Sequence, residues 1–268
     1  MKTYGGRRIT NNQITIINTK DENIMNQTAT MQKLDEMRLN GFSRAYREIM
    51  ETGVKKEFTS DELISHLIQA EWDERYNRRL QRLLTRARFR YRASIEEIDY
   101  TASRNLDKNQ LLRLSSCDWI AKNQNIIITG STGVGKSFIA SSLGHQGCQH
   151  GYRVLYHNCS KLFDELKVAK ADGSYIKEIS KIEKQDLLIL DDFGLKPLDN
   201  NQRLILLELL EDRHGKRSTI ITSQLPVNKW FEIIGEPTIA DAILDRLVHS
   251  SHRIELEGES MRKKYKNN

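Results

Sequence analysis

One octapeptide constrains this chain more than any other feature. Gly130-Ser131-Thr132-Gly133-Val134-Gly135-Lys136-Ser137 fits G-x-x-x-x-G-K-[ST], follows an apolar run at 125–129 and precedes a helical pattern at 136–149. Such a chain is committed to a strand, a tight loop and a helix in succession. The glycines let backbone N–H groups turn toward phosphate oxygens, Lys136 reaches the β and γ phosphates, and the Ser137 hydroxyl is suited to ligate Mg²⁺. The helix start adds partial positive charge, so the stretch from Gly130 through Phe138 is the expected nucleotide-binding segment.

The texture around the loop supports that commitment. Short apolar runs at 125–129, 153–157, 187–190, 219–222 and 253–256 read as strands, separated mostly by helical patterns at 136–149, 160–182, 200–214 and 238–248. Alternation of this kind predicts an α/β domain whose parallel sheet is covered on both faces. The run Leu187-Leu188-Ile189-Leu190 ends in Asp191-Asp192. Alone, two such acids are an ordinary turn signal; downstream of a phosphate loop, Asp191 reads as the magnesium-side acid and Asp192 as the residue that orients or activates water. A second acid there favours nucleotide hydrolysis over transfer to a small acceptor. The strand at 219–222 exits through Ser223-Gln224, which either hydrogen-bonds a γ-phosphate or simply leads into the Pro226 turn. Arg246 ends a helical stretch, either as a macrodipole-favoured cation or as a reach toward a neighbouring subunit's nucleotide. His249 and His252 have the spacing of a metal pair but no third ligand nearby.

The first hundred residues are different. Apolar spacing predicts helices around 34–39 and 42–49, with Gly41 as the stop between them, and one long helix from about 60 to 90 opened by Thr59-Ser60-Asp61-Glu62. From Arg75 to Arg92 stand eight arginines (Arg75, Arg78, Arg79, Arg82, Arg86, Arg88, Arg90, Arg92) and no acid, with Phe89 and Tyr91 among them. The run is either a solvated face or a contact surface for a nucleic-acid phosphate backbone, and the missing acids favour the latter. A second basic cluster lies at Arg262 to Lys266 in a chain of net charge +6. The expected organisation is a loose leader at 1–24, a helical basic domain at 25–100, and an α/β nucleotide-binding domain at 101–268. No apolar run is long enough for a membrane span, no secretory signal is evident, and Cys117, Cys148 and Cys159 form no CxxC pair, so a cytoplasmic protein with reduced thiols is expected.

GSTGVGKS, LLILDDFG, STIITSQLP and DAILDRLVHSSHRIEL, preceded by RLLTRARFRYRASIEEIDY, resemble the IstB-like transposition helper ATPases of the AAA+ class, relatives of the DnaC-type helicase loaders. The resemblance covers about residues 25–265. It implies an AAA+ P-loop αβα core with a five-stranded parallel sheet and the phosphate-loop strand central, a small all-helical N-terminal domain, and ATP and Mg²⁺ as cofactors. It also implies an ATP-assembled homo-oligomer on duplex DNA that bends it and recruits or stimulates a transposase. Lys136 and Ser137 fall at the phosphate-loop pair, Asp191 at the magnesium residue, Asp192 at the hydrolytic acid, Gln224 at the first sensor and Arg246 at the arginine finger. Too little sequence follows the last strand for a full C-terminal lid, which leaves Arg262 as the candidate second sensor. The alternative within the resemblance is a helicase loader whose N-terminal domain grips a protein ring.

Overall fold

The computed structural model describes residues 26–52, 58–101 and 103–261. The leader at 1–24, Arg262 and the basic tail lie outside the described residues. The chain divides into two compact units between Arg79 and Leu80, about twenty residues before the expected boundary.

The first unit is helical: α1 (residues 26–36), α2 (Asn40–Thr52) and the first part of α3 (Ser60–Ala87). Thr59 and Glu62 form the expected reciprocal cap of α3, with Thr59 N donating to Glu62 Oε2 at 2.8 Å and Glu62 N to Thr59 Oγ1 at 3.3 Å. Ala45, Ile49 and Leu67 form its small core. Gly41 is not a stop. The turn comes at residues 37–39, where Arg38 takes φ 58°, and Gly41 lies in the first turn of α2. Its value is steric: a Cβ there would lie 2.3 Å from the Ala70 carbonyl oxygen and 2.8 Å from Glu71 Cα. That closeness lets Glu71 Oε2 accept from Gly41 N at 2.8 Å and Phe42 N at 3.2 Å, capping α2 from across the hairpin. Gly41→Ala should therefore cost this unit about 2 kcal/mol despite alanine's better helix propensity, because backbone must move. Hydrogen exchange of the α2 amides measures it, and unchanged protection would refute the packing argument.

The second unit is the α/β domain. After α4 (Lys108–Ser115) and α5 (Asp118–Ala121) come β1 (Asn125–Gly130), α6 (Lys136–Gln149), β2 (Val154–Asn158), α7 (Cys159–Asp172), α8 (Tyr175–Glu183) and β3 (Leu187–Phe193). Then follow α9 (Asn200–Arg213), β4 (Ser218–Ser223), α10 (Trp230–Ile234), α11 (Pro237–Val248) and β5 (Ser251–Leu256). The strands form one five-stranded parallel sheet in the order β2-β3-β4-β1-β5, with β1 flanked on both sides. The solid apolar runs follow from burial on both faces. Ile126, Ile128, Ile189 and Ile220 join α4, α5 and α6 in one core, while Ile127, Leu188, Leu190 and Ile221 join α7 to α11 in the other.

The single helix expected at 160–182 is two, because Gly173 ends α7 at φ 78° and Ser174 starts afresh. Arg213 is buried and ties α8 to β4 by donating to the carbonyls of Ile182, Gln185 and Ser218. Burial pulls its pKa down to about 9, and Arg217 adds to the effect. Cys117, Cys148 and Cys159 are free and buried, and burial pushes their thiols up to about 12, which leaves them unreactive. Among the described residues no helix is long and apolar enough to cross a membrane.

Candidate nucleotide site

A parallel sheet gathers chemistry at the carboxyl ends of its strands, and here β1, β2, β3 and β4 all contribute. β1 delivers the loop, which turns through Gly133 at φ 88° and Gly135 at φ 101°, conformations that side chains resist. Lys136 Nζ folds back to donate to the Gly130 and Ser131 carbonyls, each at 2.8 Å, holding the loop closed around its own charge. From outside, the buried guanidinium of Arg104 donates to the Val134 carbonyl at 2.9 Å. The segment after β5 lies against the loop as well, with Met261 N donating to the Gly133 carbonyl at 2.9 Å.

Asp191 at the end of β3 is wholly buried, which an acid tolerates only with donors around it. It has four: Ser137 Oγ at 2.8 Å, Thr222 Oγ1 from β4, the Tyr156 hydroxyl from β2, and Arg90 Nη1 at 3.4 Å. Burial and then Asp191 itself raise the Tyr156 pKa, so the phenol stays a donor. Asp192 takes φ 59°, a conformation aspartate adopts more readily than most residues, and the β3–β4 register shifts there. That swings its carboxylate out of the ladder, where Oδ2 accepts from Asn158 Nδ2 at 3.2 Å and Arg90 Nη1 at 3.3 Å. Gln224 Oε1 accepts from Thr132 Oγ1 at 2.8 Å, so the strand exit faces the loop. Lys136, Ser137, Asp192, Gln224 and Tyr91 line a cavity of about 310 Å³ that also includes Phe138.

Ser137, Asp191 and Asp192 are hard oxygen donors of the kind Mg²⁺ accepts alongside substrate phosphates. The Arg90 guanidinium lies within 3.4 Å of both acids, so positive charge already stands beside them. The residues fit the ion.

The structure separates the eight arginines of the run. Arg75 pairs with Glu71 at 2.6 Å and Arg78 with Glu74 at 3.1 Å, so acids one turn upstream neutralise the start of the run. Arg90 lines the cavity beside the loop rather than standing out among the other cations. Arg79 and Arg82 are exposed on α3, and Arg86, Arg88 and Arg92 are exposed without an ion pair to any described residue.

Arg246 is remote from its own loop. Its carbonyl accepts from Asn125 Nδ2 at 3.1 Å, at the amino end of β1, whereas the loop leaves the carboxyl end, about 16 Å away along the strand. Its guanidinium donates to the Ala242 carbonyl at 2.8 Å and pairs with Glu211, and its buried Nε has no hydrogen-bond partner among the described residues. His252 Nε2 lies 3.0 Å from Gln124 Oε1. Sequence reasoning missed Tyr156, Asn158, Thr222 and Arg104. Asn158 and Thr222 stand at or next to strand carboxyl ends and Tyr156 in the middle of β2, and only the strand order reveals that they converge.

Residues 32–268 match the IstB-like ATP binding protein family. The chain belongs to that family. Among IstB-like relatives, a putative insertion sequence ATP-binding protein of Sinorhizobium fredii is 47% identical over 234 residues, 87% of this chain and 96% of that one. The putative ATP-binding protein of insertion sequence IS21 from Pseudomonas aeruginosa is 30% identical over 233 residues, 87% of this chain and 88% of its own length. The crystal structure of DnaI is similar with a TM-score of 0.51 at 23% identity, covering 62% of this chain and 91% of that chain. DnaA bound to AMPPCP and single-stranded DNA gives 0.52 at 16% identity, covering 67% and 56% respectively. At those identities the likeness concerns the fold, which is the α/β P-loop fold of the AAA+ type.

Proposed function

We propose that this protein is an Mg²⁺-dependent ATPase that assembles on double-stranded DNA in its ATP form and recruits or stimulates a transposase at the target site. The observation that carries the reading is the Ser137 hydroxyl on the Asp191 carboxylate beneath the phosphate loop, in a chain whose relatives are insertion sequence ATP-binding proteins. Backbone N–H groups of the loop and Lys136 bind the phosphates. Bound Mg²⁺ would be held by Ser137 and Asp191 and would neutralise charge on the β and γ phosphate oxygens. Asp192 accepts the proton of the attacking water, and Gln224 orients the γ-phosphate or that water.

Arg246 is too far from its own loop to take part, so its contribution belongs to the nucleotide of a neighbouring copy. The triphosphate then links two copies, and hydrolysis removes the link. Duplex DNA contacts fall to Arg86, Arg88 and Arg92, which are exposed and carry no ion pair to a described residue.

The test pairs assembly with salt dependence. Electron micrographs of the pure protein should contain oligomers on plasmid only with Mg²⁺ and ATP. Arg86→Glu with Arg88→Glu should lower duplex affinity at least tenfold and reduce the log–log salt slope by about 2, with nucleotide affinity retained. An unchanged slope removes DNA from the reading and favours a protein ring as the partner.

A further inference from the structure

Arg90 lies in the arginine run but not with it. Arg88 ends α3 in a left-handed conformation at φ 57°, which reverses the chain. On either side of Arg90, Phe89 packs against the core that contains α6, and the Tyr91 ring lies 6.2 Å from Phe138. Those anchors hold residue 90 over the end of β3. Its Nη1 is 3.4 Å from Asp191 Oδ2 and 3.3 Å from Asp192 Oδ2, both at the long end for charged pairs, while Tyr156 and Thr222 hold Asp191 closely. The side chain is 41% exposed and borders both the 310 Å³ cavity at the loop and a neighbouring cavity of about 510 Å³. The guanidinium also lies 5.5 Å from the centroid of the Tyr91 ring and hydrogen-bonds Tyr156, so its contacts with the two acids are long and solvent-accessible but not its only ones. It also answers an electrostatic need, since adjacent carboxylates repel unless a cation lies between them.

We propose that Arg90 is a resident counter-ion of the nucleotide site, bridging Asp191 and Asp192 until a divalent cation enters with the triphosphate, and then turning its charge to the phosphates. This rests on the nucleotide reading above and removes Arg90 from the DNA contacts. Two consequences have opposite signs. Arg90 competes with a divalent ion for the same oxygens, so it holds down the affinity of the nucleotide-free chain for that ion. Once the triphosphate is present, Arg90 is an added cation near it and raises affinity for Mg·ATP.

The experiment uses the full chain and Mn²⁺ as a paramagnetic probe. In Arg90→Ala, Mn²⁺ affinity without nucleotide, read by electron paramagnetic resonance titration, should rise about tenfold, or about 1.4 kcal/mol. Affinity for Mg·ATP, read by calorimetry, should fall by a similar factor, and Arg90→Lys should lie between the two. A role limited to packing would lower both affinities together. Duplex affinity in EDTA without nucleotide should be that of the unmodified chain. Mn²⁺ affinity that is unchanged or lower, or duplex affinity lost to the extent expected of Arg86→Glu with Arg88→Glu, overturns the proposal. If the unmodified chain binds no Mg·ATP, the nucleotide reading itself fails; if it binds Mg·ATP and Mn²⁺ affinity does not move in the variant, only the role of Arg90 does.

Discussion

Asp192→Asn is expected to bind ATP as tightly as the unmodified chain and to turn it over about 10³-fold more slowly, the range seen when a positioned general base is removed. The argument rests on the division of labour between neighbouring acids. Asp191 is buried and fully engaged, with Ser137, Thr222 and Tyr156 all donating to it. Asp192 is more open and borders the cavity, and its carboxylate is held by one amide and one shared guanidinium. An asparagine keeps the size, but its amide nitrogen is a donor and cannot take the proton from water. Because φ at this position is 59°, and asparagine tolerates that region as aspartate does, the backbone should not move. Single-turnover hydrolysis and equilibrium nucleotide binding, measured on the same preparation, separate chemistry from affinity. Turnover that persists within tenfold of normal would mean that another group activates water. If ATP also holds the oligomer together, this variant should accumulate as assembled particles on DNA that do not disperse.

The parts of this site that the sequence disclosed are those with local physical causes. Gly133 and Gly135 must take positive φ, Lys136 and Ser137 must follow them, and strands buried on both faces must be apolar throughout, so the loop and β1 to β4 can be read off directly. α5 and α10 escaped because helices of four and five residues cannot express a period, and the eight-residue α4 declares itself mainly through the cap Asp107 provides to Asn109 N. Glu71 and Glu74 lie four residues before Arg75 and Arg78, so those pairs were within reach of spacing rules and were hidden only by a window that opened at Arg75. Arg90 is a different kind of miss. Its destination depends on Arg88 adopting a left-handed conformation that an arginine rarely takes, and only the tertiary anchors at Phe89 and Tyr91 account for it. Composition can count charges in a run; it cannot say which of them turns inward.

Lys136→Ala and Arg246→Ala should each reduce hydrolysis by about 10² or more, yet a mixture of the two should recover part of it. Lys136 supplies the loop with its central cation and fixes the Gly130 and Ser131 carbonyls, so its loss removes nucleotide from that copy. Arg246, at the amino end of β1, cannot reach the loop at the carboxyl end, so under the proposed function its loss should leave that copy's own nucleotide site whole and deprive a neighbour. The Arg246 variant therefore retains a complete loop, and the Lys136 variant retains a complete finger. In an equal mixture that assembles at random through a head-to-tail interface, about one contact in four joins an intact loop to an intact arginine. The expected rate is thus about a quarter of that of the unmodified assembly, provided the mixed oligomer forms, which sedimentation with Mg·ATP and DNA can establish. The pair with the exposed Glu211 is screened by solvent and the buried Nε has no hydrogen-bond partner among the described residues, so giving up this resting position for a phosphate offered across the interface should cost little. A mixture that assembles but stays as inactive as its components would show that Arg246 is a structural helix-end residue, and the nucleotide would then need some other cation to complete its site.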